Sequence, residues 1–177
     1  MKHSISNWQL AGFLFTAALG TFLHFFFDLT GQNWIAALFS SVNESIWEHM
    51  KLVFYPMFAF ALIENRIWGR EIPQFWCIKL LGILLGLAMI PVLYYSYTGA
   101  FGKNVDWINI AIFFLTAAAS YRLETVLFQR GYACRLQADT ALVILWLLAA
   151  VFTLLTFRPP MIPLFQDPQT GTYGFQI

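Results

Sequence analysis

Long apolar runs separated by short polar breaks dominate the chain. Five of them reach the roughly 20 residues that a helix needs to cross about 30 Å of hydrocarbon: residues 8–29, 43–65, 75–98, 105–128 and 138–158. The assignment rests on length and apolarity, because a lipid-facing helix need not show an amphipathic stripe. The ten-residue alternating segments of a membrane barrel are missing from the sequence. The pattern therefore predicts an all-α, polytopic membrane bundle of about five transmembrane helices. Residues 31–41, "GQNWIAALFSS", are too short to span and read as a loop with an interfacial or re-entrant piece. Residues 1–158 form the expected bundle, and 159–177 a Pro/Gly-rich outer tail.

Composition agrees. Of the 177 residues, 59% are hydrophobic and 11% charged, about half the charged share of a soluble domain. The first apolar run follows Lys2 and continues through Phe27 with no convincing small-residue cleavage site, so it reads as a retained helix and not as a signal peptide. No basic stripe points to nucleic acid, and the expected partner is the lipid bilayer. A net charge of +1 adds nothing about partners.

With five spans, Lys2, Arg66, Arg70, Arg130 and Arg135 share one side, with Lys79 just inside it. Lys103 and Arg158 lie on the other. The positive-inside rule then places the N-terminus in the cytoplasm and the C-terminus outside. Cys77 and Cys134 fall near the cytoplasmic side, a reducing compartment where structural disulfides are rare. They are expected to be unpaired packing residues.

This topology gathers the chain's unusual polar residues at the outer face. The first span ends in "HFFFD", the second begins "NESIWEHMK", and the third ends "YYSYTG". On a helical wheel of 100° per residue, Lys51, Glu44, Tyr55 and Glu48 fall within about 60° of arc, with Asn43 about 80° from its nearer edge. Ser45 and His49 form an adjoining strip. His24 and Asp28 are four apart on a face with Ala17, Gly20 and Thr21. Small residues beneath polar ones mark a helix-facing side.

Ionisable groups at membrane depth face the bundle interior, a water cavity or each other. A carboxylate-oriented imidazole suits a metal ligand or a general base. His24, Asp28 and His49 are therefore candidate ligands for a divalent metal such as zinc. Asn43, Glu44, Glu48, Lys51, Tyr55 and Tyr94 are candidate ligand-binding residues, and Glu48, His49 and Lys51 candidate catalytic ones. Capping, dipole compensation and an aromatic belt account for each residue singly. They do not require the whole set together.

Other features read as packing. Gly82 and Gly86 have the GxxxG spacing that allows close helix approach, within the chain or at a homodimer seam. Glu64, Arg122 and Glu124 read as a structural ion-pair group near the cytoplasmic end. The tail "RPPMIPLFQDPQTGTYGFQI" would leave Met161, Ile162, Leu164 and Phe165 bare if loose. Docking over the outer mouth would hide them and bring Asp167, Thr172 or Tyr173 near the cluster.

Four runs carry a resemblance: "FLHFFFDLTGQN", "NESIWEHMKLVFYPM", "YSYTGAFGKN" and "FRPPMIPLFQDPQTGTYG". Through them the chain resembles, over nearly its whole length, a family of small multi-pass bacterial membrane proteins common in Firmicutes and classed as a domain of unknown function. The resemblance implies a bacterial cytoplasmic membrane protein and no particular reaction. The three-histidine pattern of ceramidase-like hydrolases, the HExxH of zincins and a rhomboid-like Ser/His pair are all missing from the sequence. The leading expectation is an outer-face pocket that binds an ion or small molecule, transport- or sensor-like. A metal-assisted, hydrolase-like membrane enzyme using the same cluster is the alternative, and a structural scaffold the third reading.

Overall fold

A computed structural model describes residues 2–175, and burial from residue 4 onward. The expectation placed on Lys2 concerns a side chain outside those described. Among the described residues the chain is helical without a strand. Its helices are α1 (Lys2–Leu29), α2 (Trp34–Ala37), α3 (Ile46–Ile67), α4 (Phe75–Phe101), α5 (Asp106–Arg130) and α6 (Ala138–Phe157), with short 3-10 turns at Gly69–Glu71 and Pro163–Phe165. All but α2 are long and apolar enough to cross a membrane, so the multi-pass membrane reading stands.

The long helices alternate in direction; three of the four connections are short, and the longer one, 30–45, carries α2. α1, α3, α4 and α5 form a ring, each touching its neighbours, and α6 leans on α4 and more lightly on α3. α3 is the most enclosed span and α6 the least. The outward faces carry large apolar side chains such as Leu14, Phe22, Ile110, Trp146 and Leu147. In water this would be an aggregation surface, whereas against lipid tails it carries no penalty. We call the end that holds Leu29, Ile46, Phe101, Asp106 and Phe157 the upper end.

Close packing in the ring depends on glycines. A Cβ on Gly20 would lie 2.6 Å from the Leu52 carbonyl oxygen and 2.7 Å from the Phe113 ring. The Leu52 carbonyl is the one that Pro56, four residues on and inside α3, leaves without an intrahelical donor. Gly20 thus lets α1 seat against the stretch of α3 whose hydrogen-bond ladder proline interrupts. Gly82 and Gly86 of α4 serve α5 similarly. Added Cβ atoms there would meet the Glu124 carboxylate and Ser120 Oγ, so the GxxxG face is filled within the chain.

Between α3, α4, α5 and α1, toward the lower end, Lys79 is 1% exposed. Its Nζ lies 2.6 Å from Glu124 Oε2 and pairs as closely with Glu64. Gln9 Nε2 donates to Glu64 Oε1 at 2.9 Å. Glu64 and Glu124 therefore form an ion group as expected, but around Lys79; Arg122 is exposed. The rings of Phe75, Tyr121 and Phe128 lie 5.5–5.7 Å from the ammonium and close the site to lipid.

The cysteine expectation is corrected. Cys77 and Cys134 are joined in a disulfide, with Cα atoms 6.4 Å apart. The expectation rested on compartment alone. The fold brings the start of α4 and the α5–α6 connection to the same place, which a one-dimensional reading cannot register.

Candidate functional site

The "SVNESIWEHMK" run does not begin as helix. Asn43 Oδ1 accepts the Ser45 N–H at 2.9 Å, an Asx turn that holds the chain extended. Ser45 is the N-cap, with Oγ facing the Glu48 N–H at 3.4 Å. α3 therefore starts at Ile46, and Glu44 is not on the helical wheel at all. It turns away from Glu48 and Lys51 toward α1.

There it meets two histidines. Glu44 Oε1 is 3.7 Å from His24 Nε2, and Glu44 Oε2 is 3.5 Å from His49 Nε2. The imidazole centroids are 5.5 Å apart. One ligand atom from each residue can be chosen so that all three lie within 4.8 Å of one another. His49 Nδ1 sits 2.9 Å from the Ser45 carbonyl oxygen. A carbonyl oxygen only accepts, so Nδ1 carries a proton and Nε2 is the atom turned toward Glu44, the orientation in which a backbone carbonyl supports a metal-ligating histidine. His24 Nδ1 is buried without a partner among the described residues. All three side chains are partly exposed, between 24% and 36%, so the group fronts an accessible space.

That space is a cavity of about 420 Å³, within the usual range for small-molecule sites. α1 and α5 form its sides, and Leu52 of α3 and Ile90 of α4 its deeper part. Polar atoms come from Thr21, Tyr94, Asp106, Asn109 and Gln169. Gln169 belongs to the tail, which folds back over the upper end. The Phe175 N–H donates to the Thr156 carbonyl at 2.8 Å, Asn43 Nδ2 donates to the Gly174 carbonyl at 3.2 Å, and Phe165 stacks on Trp47. Asp167 is turned inward, capping Gln169 and Thr170 N–H groups, so the tail reaches the cavity through Gln169.

The other sequence candidates go elsewhere. Asp28 is exposed and outside the triad; Glu44 takes the place expected for it. Glu48 and Lys51 form a buried ion pair of 2.7 Å. Lys51 Nζ also donates to the Ala37 carbonyl at 3.0 Å and to Thr156 Oγ1 at 2.9 Å. Glu48 Oε2 accepts the Val42 N–H at 3.1 Å. This group ties α2 and the following loop to α3 and α6, facing away from the cavity. Tyr55 donates to the Ala149 carbonyl of α6. Tyr94 alone of the expected tyrosines lines the cavity. Asp106, Asn109 and Gln169 were not singled out from sequence, since an acid and an amide in the first turn of a span and an amide in a turn-rich tail look like ordinary surface.

No curated protein and no solved structure matches the chain. A family profile covers residues 1–175, and the chain belongs to that family, DUF6512, a family of unknown function.

Proposed function

We propose that the upper-end cavity binds a divalent metal ion through His24, Glu44 and His49, and that the protein is an ion-binding membrane protein of transport- or sensor-like character. The triad, with His49 oriented by the Ser45 carbonyl, carries this reading. Ligands about 2.0–2.1 Å from a tetrahedral zinc lie some 3.3 Å from each other. The glutamate–histidine separations of 3.7 and 3.5 Å, each to a different carboxylate oxygen, are a few tenths of an ångström above that, and one donor atom from each residue lies within 4.8 Å of the others, so the side chains would draw in to hold the ion. Two imidazoles and a carboxylate are the donor set of open, three-ligand zinc sites. A hydrolase-like enzyme is the second reading, favoured by one observation: the ligands front a cavity able to hold a substrate beside the metal.

Elemental analysis of the purified protein after zinc loading tests the metal site. Stoichiometric zinc is expected. His24→Ala, Glu44→Gln and His49→Ala should each weaken binding more than about tenfold, while Asp28→Asn should retain it. Uptake should fall on acidification, because bound imidazole and carboxylate must be unprotonated. Absence of zinc in the wild type, or its loss in Asp28→Asn but not in Glu44→Gln, would refute the assignment.

The cation distribution and the family resemblance support a bacterial cytoplasmic membrane, N-terminus inside, with the cavity facing out. The Cys77–Cys134 disulfide lies on the opposite, N-terminal side and argues the other way, since disulfides persist in oxidising compartments. The cation bias carries more weight, because the fold juxtaposes these two residues whatever their oxidation state. A C-terminal alkaline phosphatase fusion should be active; an inactive fusion of a well-expressed protein would reverse the orientation.

A further inference from the structure

The cavity has two chemically distinct parts. Its polar part holds the His24–Glu44–His49 triad with Asp106 and Asn109. Its apolar part is lined by Phe25, Leu52, Ile90, Ile110, Phe113 and Phe114. Of these, Phe25, Ile110 and Phe114 are themselves 55%, 59% and 39% exposed. They sit on α1 and α5, within segments able to cross the membrane. The rim of the cavity is thus part of the lipid-facing surface, and the cavity opens sideways between α1 and α5.

Depth follows from helix rise. His24 lies five residues from the end of α1, about 7 Å below the upper end at 1.5 Å per residue. Gly20 and Ile90, the deepest lining residues, lie about 14–16 Å down. That is the thickness of one leaflet of a roughly 30 Å hydrocarbon core. Phe25 and Ile110, four residues from their helix ends, stand level with the triad, while Leu52, Phe113, Phe114 and Ile90 lie below it, so the apolar part runs from the level of the triad down among the acyl chains.

None of the described lining residues is Lys or Arg. Glu44 and Asp106 make the bare polar part acidic, so it would repel an anion. A divalent ion on the triad cancels this charge and offers open coordination positions to an oxyanion.

We propose that the site clamps one membrane lipid with a phosphate headgroup. The phosphate oxygen ligates the triad-bound metal, and an acyl chain enters laterally between α1 and α5 to fill the apolar part. This rests on the metal-site reading above and names the ligand class of that site.

The test uses the full chain, zinc-loaded, in nanodiscs of a phosphate-free galactolipid containing phosphatidic acid. Native mass spectrometry follows retained lipid, with zinc measured on the same samples. One phosphatidic acid adduct is expected per chain, removed by EDTA and by Glu44→Gln. Ile110→Gln, at the apolar rim, should weaken retention about tenfold while zinc content stays at the wild-type level. Inorganic phosphate at the same concentration should not displace the lipid. Retention unaffected by EDTA or by Ile110→Gln overturns the proposal, as does displacement by inorganic phosphate. Zinc uptake without lipid retention overturns the lipid clamp alone; no zinc uptake overturns both readings.

Discussion

Replacing Lys79 by methionine is expected to destabilise the bundle by about 3–5 kcal/mol, the usual consequence of removing one partner from a buried ion group. Here the effect should reach the top of that range or exceed it. Lys79 is the single cation held against two carboxylates, Glu64 and Glu124, each fully buried. Without it two like charges face each other in a low-dielectric interior. Thermal unfolding in detergent should show the loss directly. Replacing the whole group together by apolar residues, Lys79→Met with Glu64→Leu and Glu124→Leu, should recover most of the stability, because exchange of a complete buried ion group for hydrophobic residues of similar volume is often close to neutral. A Lys79→Met protein that melts like the wild type would show that the three charges are not coupled as the geometry places them.

Lys51→Met should produce the second-largest loss, about 3 kcal/mol, and should also weaken metal binding although Lys51 does not touch the cavity. Its ammonium neutralises Glu48, which in turn holds the Val42 N–H, and it directly holds the Ala37 carbonyl. Those contacts anchor the segment that delivers Glu44 to the two histidines. Proteolysis within residues 30–45 should accelerate in the variant, and zinc affinity should fall in parallel. If Lys51 and Glu48 instead acted on a bound ligand, binding would drop with the melting temperature and proteolysis unchanged. That pattern would count against the structural role assigned here.

The five spans were legible in sequence because a bilayer imposes the requirement residue by residue. Backbone polar groups must be satisfied within each segment and the side chains must be apolar for about 20 positions. Expected segments such as 75–98 and 138–158 coincide closely with α4 and α6. The gathering of polar residues at one end was legible too, since it follows from counting crossings.

The composition of the site was only half legible. His24 and His49 were identifiable as buried-side imidazoles, but Asp28 was paired with His24 by i,i+4 spacing, and Glu44 was grouped with Glu48 and Lys51 by the helical wheel. That wheel assumed helix from Asn43. Two local side-chain hydrogen bonds, from Ser45 N–H to Asn43 and from Glu48 N–H to Ser45, delay the helix to Ile46 and swing Glu44 to the other side. Helix starts are decided by such competition between side chain and backbone, at energies of about 1 kcal/mol that a hydropathy pattern does not express.

Length, apolar content and the order of crossings therefore come from the chain alone, because each is a local demand of the solvent. Which charges meet was decided only by tertiary structure. Lys79 found Glu64 and Glu124 on two other helices, Cys77 met Cys134 across 57 positions, and Glu44 rather than Asp28 closed on the histidines. Charge pairing and metal geometry are satisfied over a few ångströms in space, and no spacing along one helix carries that distance.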